Sequence, residues 1–268
     1  MGENSKISWT NHTFNCWHGC TRVGDDPACG PTEQFPDGDI CYAESFAARV
    51  GYGPNPIDAK KFPIWGAHEQ RRFFGDKHWN EPLKWNRLAE QAGVRARVFC
   101  MSMGDWAEGR PDQQEHLVRL WDLILQTPWL DWLMLTKRPQ LINKLCPLRS
   151  QRVWQGVTTV TQKWFDIRWE HLKRVDAEIY WLSVEPMMER ITLAPDFLRL
   201  GPRAWVICGG QSGHNVVHMK PDDARHLRDQ CLAHGVRFHM KQMSGRTSAE
   251  LEAIPDDLRI REYPQVGA

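Results

Sequence analysis

The sequence has no run of 18 apolar residues, so none of its segments is predicted to span a membrane. It also lacks an apolar signal core near its N-terminus, which predicts a cytoplasmic protein without a membrane partner. An excess of one charge is missing too, because 34 Lys and Arg residues stand against 33 Asp and Glu residues. This balance argues against a broadly basic protein that coats DNA, although it leaves room for a local basic groove.

Several catalytic signatures are absent as well. The sequence contains no G-x-x-x-x-G-K-[ST] phosphate loop, no G-x-S-x-G nucleophile elbow and no H-E-x-x-H zinc motif. These absences argue against P-loop nucleotide hydrolysis, against the Ser-His-Asp hydrolases of the elbow type and against zinc proteases.

What is present is an alternation of short apolar runs and amphipathic stretches. The apolar runs predict strands at 13–16, 98–101, 132–135, 153–157, 179–184, 205–208 and 236–240. Helices are predicted at 112–126 and 221–234, and a loop at 51–63. Strand starts mostly lie roughly 20 to 35 residues apart, which leaves room for a crossover helix. The pattern predicts an α/β fold, a closed or partial TIM-type barrel of parallel strands with outer helices, over residues 1–245, followed by an extension at 246–268.

Polar or small residues follow each predicted strand. Ligands of parallel α/β sheets bind at the carboxyl ends of the strands, so these residues are candidates for binding a cofactor. They are Ser102, Asp105, Thr136, Lys137, Arg138, Glu185, Gly209, Gly210 and Gln211. The alternative is that strands end in turns, which are polar in any protein, and that Lys137 and Arg138 pair with nearby acids.

The cysteines are the second unusual feature. Four of the eight fall within 26 residues, among Gly, Pro and Asp: Cys16, Cys20, Cys29 and Cys41. Converging thiolates bind a soft metal or an iron–sulfur cluster. Their spacing contains neither the C-x-x-C pair of a zinc ribbon nor the C-x3-C-x2-C pattern of radical S-adenosylmethionine (SAM) enzymes. A redox disulfide and ordinary buried thiols remain the alternatives.

A set of motifs resembles a known family. They are WTNHTFNCWHGCTRV, PACG, CYAESFAAR, FCMSMGDW, LMLTKRP, VWQGVT, WLSVEPM, GGQSG and KPDDARHLRDQCLAHGVRFHMKQ. In this order they resemble the phage Gp37/Gp68 family (DUF5131), a group of radical-SAM-like proteins, over most of residues 7–243.

The resemblance implies an enzyme of the radical SAM type. Its [4Fe–4S] cluster would reductively cleave SAM to a 5′-deoxyadenosyl radical, with electrons from a flavodoxin- or ferredoxin-type donor. Matched by motif, the cluster ligands are Cys20, Cys29 and Cys41. Cys16 is the alternative to Cys29, because eleven residues separate Cys29 from Cys41 where the family has about two.

Positions at the strand ends suggest roles toward such a cofactor. Ser102 and Asp105 are candidates for the methionine amino group, and the residues from Thr136 to Arg138 for a carboxylate or phosphate. Glu185 is a candidate acceptor from a ribose or an amine. Gln211 stands where the family has a glutamate, so it can act only as a hydrogen-bonding group.

The sequence does not identify one substrate. A nucleobase, a nucleotide and DNA are all candidates, since a mouth rich in tryptophan and Lys or Arg suits base stacking. Most of the fourteen tryptophans are nevertheless expected in the core or in a pocket wall. Two other functions remain: a non-catalytic zinc or iron–sulfur binding or regulatory protein, and a zinc-dependent nucleic-acid-modifying enzyme. The last lacks the H-x-E…P-C-x-x-C motif of the zinc deaminases.

Overall fold

The computed structural model describes residues 2–36, 41–53, 61–149, 152–213 and 216–265. The chain divides into two compact units: Met1–Asp25 with Ile40–Val153, and Asp26–Asp39 with Trp154–Ala268. Within the described ranges, no helix has both the length and the apolar composition needed to cross a bilayer.

The first unit has three parallel strands and a short antiparallel pair. Its strands are β1 (His12–Phe14), β2 (Trp17–His18), β3 (Arg72–Phe73), β4 (Ala96–Cys100) and β5 (Leu130–Thr136). Strand β4 pairs in parallel with β1 on one side and β5 on the other, while β2 pairs antiparallel with β3. The helices are α1 (Tyr42–Ala47), α2 (Asp76–Trp79), α3 (Glu81–Ala92), α4 (Gln114–Gln126) and α5 (Ile142–Leu145). A π-helical turn at Ala48–Tyr52 continues α1.

The second unit has four parallel strands in chain order. They are β6 (Val153–Thr158), β7 (Tyr180–Val184), β8 (Ala204–Gly209) and β9 (Arg237–Gln242), and each pairs with the next. The helices of this unit are α6 (Gln162–Leu172), α7 (Pro195–Leu198), α8 (Pro221–Ala233) and α9 (Ser248–Glu252). A helix follows each of β6, β7 and β8, which is the strand–helix alternation expected of a parallel sheet.

The predicted strands and the two predicted helices are confirmed, with small shifts at their ends. Strand β1 ends at Phe14, so Asn15 and Cys16 lie beyond it. Helix α4 begins at Gln114 because Pro111–Gln113 form a 3-10 turn. Of the predicted loop 51–63, residues 54–60 lie outside the described part of the chain.

The residues after Gly245 pack along strand β9. Met240 N donates to Ile260 O at 2.8 Å, and Glu262 N donates to Phe238 O at 2.9 Å. Leu258 is fully buried. These backbone hydrogen bonds cover the edge of β9, which would otherwise expose unpaired backbone groups.

The tryptophans form the core, as expected from the sequence. Twelve of the fourteen are buried: Trp9, Trp17, Trp79, Trp85, Trp106, Trp121, Trp132, Trp154, Trp164, Trp169, Trp181 and Trp205. They therefore have little surface left for stacking against a ligand. The large exposed aromatic side chains in the described ranges are instead Tyr42 and Phe46, on α1.

Gly156 in β6 tests how tightly this core is packed. A Cβ at this position would lie 2.2 Å from the ring of Trp181, its neighbour on β7. The ring is fully buried and its Nε1 donates to Trp154 O at 3.2 Å, so it has no room to move aside. We expect Gly156→Ala to lower the free energy of unfolding by about 1 to 3 kcal/mol in a urea titration.

The matched control is Gly75→Ala. Gly75 has a φ of −82°, which other residues adopt, and its Cβ would meet no atom within 4 Å. The control should stay within about 0.5 kcal/mol of the wild type. Equal urea midpoints for the wild type and Gly156→Ala would show that the β6–β7 packing is looser than the structure indicates.

Candidate functional site

Cys20 lies in an irregular segment two residues after β2, and the backbone before it is fixed. Gly19 N donates to Met103 O at 2.9 Å, and Gly19 forms a bridge with Gly104. Gly19 has a φ of +107°, and a Cβ there would lie 2.1 Å from Ile64 O. Only glycine fits this close approach, so the residue before Cys20 sets the path of the loop.

A buried ion pair fixes the backbone after Cys20. The side chains of Arg71 and Glu108 are 0% and 3% exposed and share hydrogen bonds of 2.5 and 3.1 Å. Thr21 N donates to Glu108 at 2.9 Å, and Arg71 donates to Thr21 Oγ1 at 2.9 Å. Burial raises the pKa of Glu108, but hydrogen bonds from Arg71, Thr21 and Gln113 hold it below its usual value.

A second ion pair joins the ends of β4 and β5 to the same loop. The carboxylate of Asp105 accepts four hydrogen bonds, from Thr136 Oγ1, Arg138 Nη1 and the backbone N–H groups of Ala107 and Lys137. Arg138 in turn donates to Thr21 O at 2.6 Å, and its Nη1 lies 3.7 Å from Cys20 Sγ. Asp105 therefore orients Arg138, and Arg138 holds the cysteine loop.

This network brings together four of the nine strand-end candidates, Asp105, Thr136, Lys137 and Arg138. The assignment of Asp105 to a methionine amino group stays a prediction, and its described hydrogen bonds all serve the network. Burial raises the pKa of Cys20 to about 12, and Asp105 adds to this, while Arg138 and Lys137 act in the opposite direction. Cys20 is therefore a protonated thiol at neutral pH.

Cys41 precedes helix α1 and packs on the same part of the first unit. Ser45 N donates to its carbonyl oxygen at 2.9 Å, and Cys41 contacts a buried cluster that includes Met103. Tyr42 donates its hydroxyl to Ser102 O at 2.6 Å. Met103 O also accepts a hydrogen bond from Gly19 N. The segments of Cys20 and Cys41 are therefore both attached to the turn after β4.

Ser102 itself lies in that turn and is buried. Asn15 Nδ2 donates to Ser102 Oγ at 3.1 Å, and Met103 N donates to Asn15 Oδ1 at 2.7 Å. Asn15 follows β1, so it joins the carboxyl ends of β1 and β4.

Cys29 belongs to the second unit, where another buried ion pair holds it. Asp26 accepts from Cys29 N through its carbonyl oxygen at 2.8 Å, which closes a 3-10 turn that ends at Cys29. The Asp26 carboxylate accepts from Arg168 Nη2 at 2.6 Å, and both side chains are at most 1% exposed. Arg168 also donates to Thr158 O, the last residue of β6, at 2.7 Å. The Cys29 turn is thus tied to a strand end.

Cys16 has a different environment. It is fully buried beside the thiol of Cys100, and burial together with that neighbour raises its pKa well above the usual value. Whether Cys16 or Cys29 is the third ligand stays a prediction. No disulfide bond joins any of the eight cysteines, all of which lie in the described part of the chain.

The remaining candidates lie at the ends of β7 and β8. Glu185 forms an ion pair with Lys241 at 2.6 Å, and a Cβ on Gly209 would lie 2.7 Å from the Glu185 carboxylate. Gln242 Nε2 donates to Gly210 O at 2.9 Å, and Gln211 accepts from Val217 N at 2.9 Å. A side chain at either glycine would collide with a neighbour, Glu185 at Gly209 and Ser244 at Gly210. The hydrogen bond that Gln211 accepts is one that a glutamate would also accept.

A cavity of about 680 Å³ lies beyond the same two strands. It is lined by Met187, Met188, Glu189 and Arg190, which follow β7, by residues 218–223 and by Arg225. An ion pair of 2.8 Å between Arg190 and Asp223 stands in its wall.

Across the described residues, no three His, Cys, Asp or Glu side chains stand close enough together to hold a metal ion. The ligand set of Cys20, Cys29 and Cys41 therefore stays a prediction.

The residues that hold the loops were not among the candidates predicted from the sequence: Asn15, Asp26, Arg71, Glu108 and Arg168. One local signal was available, because Asp26 before Pro27 is typical of a helical N-cap. Arg71 and Glu108 are 37 residues apart and carry no comparable signal.

Removing the Glu108 charge tests the first ion pair. We expect Glu108→Gln to leave Arg71 buried without a counter-charge and to lower the free energy of unfolding by about 3 to 5 kcal/mol at neutral pH. Because the folded-state pKa of Glu108 is lowered, its contribution is complete above the usual glutamate pKa of about 4.3 and falls as the pH drops below it. Urea titrations from neutral to acidic pH measure both effects.

Lys84→Gln is the control, since it breaks an exposed pair with Glu3 whose side chains are 56% and 39% exposed. Its effect should stay within about 1 kcal/mol. A Glu108→Gln protein as stable as this control, or a difference from the wild type that grows as the pH falls, would contradict the role assigned to the pair.

The fold is similar to two solved structures. One is a single-site mutant of spore photoproduct lyase, a radical SAM enzyme, with a TM-score of 0.53, 11% identity, and 90% of this chain and 79% of that chain covered. The other is a double mutant of that enzyme with bound AdoMet and dinucleoside spore photoproduct. Its TM-score is 0.50 and its sequence identity is 11%. The match covers 86% of this chain and 63% of that chain. These likenesses show the predicted fold, a partial TIM-type α/β barrel.

No curated protein is significantly similar in sequence to this chain. A family model described as "Protein of unknown function (DUF5131)" matches residues 4–263, nearly the whole of the described chain. The predicted family is thus confirmed, and the chain belongs to DUF5131.

Proposed function

We propose that this protein is a radical SAM enzyme that acts on a nucleobase, a nucleotide or DNA. The observation that carries the proposal is that, on a fold shared with a radical SAM enzyme, buried hydrogen-bonded contacts tie Cys20, Cys29 and Cys41 to turns at strand ends. Active sites of parallel α/β proteins lie at those ends.

The donor set suits an iron–sulfur cluster. Cys20 and Cys41 are partly exposed, in an irregular segment and directly before a helix, whereas Cys29 is buried at the end of its 3-10 turn. The other five cysteines are buried. Three thiolates would leave one iron of a four-iron cluster for SAM. Cys16 is fully buried against the Cys100 thiol, so the proposal assigns the third ligand to Cys29.

When bound, the cluster supplies the electron that cleaves SAM to methionine and a 5′-deoxyadenosyl radical. The chain itself would supply the three thiols from segments that hydrogen bonds attach to strand ends. Arg138, fixed by Asp105, places a positive charge beside Cys20, and such a charge offsets the negative charge of ligating thiolates. A flavodoxin- or ferredoxin-type protein would deliver the electron.

Two features favour a substrate of the nucleic-acid type. One of the similar structures contains a bound dinucleoside photoproduct. The first unit also exposes two aromatic side chains, Tyr42 and Phe46, four residues apart on α1 directly after Cys41. Exposed aromatic rings stack on bases of any sequence.

The test is a metal analysis of protein purified without oxygen. We expect about four irons and four acid-labile sulfides per chain, and 5′-deoxyadenosine when a reductant and SAM are added. Cys20→Ala, Cys29→Ala and Cys41→Ala should each lose the iron and the product. One zinc per chain without sulfide would overturn the proposal.

Cys16→Ala is the matched control for the ligand assignment, since it removes a nearby thiol that faces Cys100. It should keep both iron and 5′-deoxyadenosine formation. If Cys16→Ala loses iron while Cys29→Ala keeps it, the cluster is held by Cys16 instead of Cys29.

A further inference from the structure

Arg72 on β3 has an unusual environment in the first unit. Its guanidinium carbon lies over the ring of Tyr52 at 4.7 Å and over the ring of Phe74 at 5.0 Å. Lys61 Nζ is also 5.6 Å from the centre of the Tyr52 ring. Two cations and two aromatic rings therefore form one cluster, which we name the Arg72 platform: Tyr52, Lys61, Arg72 and Phe74.

Among the described residues, aromatic rings contact the Arg72 guanidinium and no acceptor does. In the part of the chain that the structure describes, it forms no hydrogen bond or ion pair, whereas its neighbour Arg71 donates to Glu108, to Thr21 and to backbone carbonyl oxygens. Contact over a ring uses the face of a guanidinium and leaves its five N–H donors at the edge. Arg72 is thus ordered and half-buried, with its donors available.

The Arg72 platform is attached to both cysteine segments of the first unit. Arg72 pairs with His18 across the β2–β3 ladder, two residues before Cys20. Tyr52 packs on the same buried cluster as Cys41. The cationic group is therefore carried by the elements that position two of the proposed cluster ligands.

We propose that Arg72 binds a phosphate group of the substrate. A guanidinium matches two phosphate oxygens with parallel N–H donors, and the rings of Tyr52 and Phe74 keep it in one orientation. Lys61, whose Nζ donates to Val50 O at 2.8 Å, adds a second positive charge nearby. The inference deepens the proposed function, on which it rests for the reaction, by naming the substrate group that is recognised. The phosphate comes either from a free nucleotide or from the backbone of a nucleic acid.

Binding of labelled single-stranded oligothymidylate and of thymidine monophosphate tests this assignment. We expect Arg72→Gln to weaken binding about tenfold and to reduce the slope of log affinity against log salt for the oligonucleotide by about one. Weakening of both probes identifies a nucleotide phosphate, and weakening of the oligonucleotide alone identifies a backbone phosphate. Arg72→Lys keeps the charge without the planar fork and should weaken binding as well, by a smaller factor.

Arg87→Gln is the matched control, because Arg87 is an exposed arginine on α3 of the same unit. It removes one positive charge and should bind both probes as the wild type does. The inference is overturned if the wild type binds neither probe, if Arg72→Gln binds both as tightly as the wild type, or if Arg87→Gln weakens binding equally. Thermal unfolding of each variant verifies that the fold is intact.

The same preparations separate this inference from the proposed function. Arg72→Gln should keep the iron content of the wild type, since in the described part of the chain the contacts of the Arg72 side chain are with Tyr52 and Phe74 and not with a proposed ligand. If the wild type holds no iron–sulfur cluster, the radical SAM proposal fails, while the comparison of the two arginine variants still decides whether Arg72 binds phosphate.

Discussion

The loop that carries Cys20 depends on one buried ion pair, Arg71 with Glu108. Burying two charges is costly unless their attraction and further hydrogen bonds replace the lost water. Here Arg71 also donates to the carbonyl oxygens of Ile64, Glu69 and Gly66, and Glu108 accepts from Thr21 and Gln113. The pair is therefore fully hydrogen-bonded. The backbone around Cys20 has no sheet or helix to satisfy it, and this pair takes their place.

The same solution recurs at other strand ends. Arg138 with Asp105 joins β4 and β5 to the carbonyl oxygen of Thr21, and Arg168 with Asp26 joins the Cys29 turn to β6. Irregular segments leave backbone groups without partners, and a guanidinium with five donors can satisfy several at once. Each loop is thus stabilised by the ion pair at its own strand end. A ligand site made of loops needs such support if its geometry is to be fixed before a cofactor binds.

The sequence was sufficient for the strands and the main helices because their signals are local. The face of Leu117, Leu120, Trp121 and Ile124 is buried in α4 as its spacing predicts. The strand-end rule also found Asp105 and Arg138, which meet in the structure. It did not find Asp26 with Arg168, because 142 residues separate them and neither carries a signal for the other. Long-range pairing of charged side chains is fixed by the three-dimensional path of the chain, which a single sequence does not encode in any local pattern.

Arg71 and Arg72 show why this distinction matters for function. They are adjacent in the chain and identical in type, yet only Arg71 is fully buried, with a carboxylate and carbonyl oxygens around it. Arg71 lies directly before β3, whereas Arg72 is the first residue of that strand and is only partly buried. A buried arginine whose donors are all used builds the site, and its loss destabilises the protein. An arginine that is ordered by rings but retains its donors is suited to recognise an anion, so its loss should reduce binding and leave stability nearly unchanged.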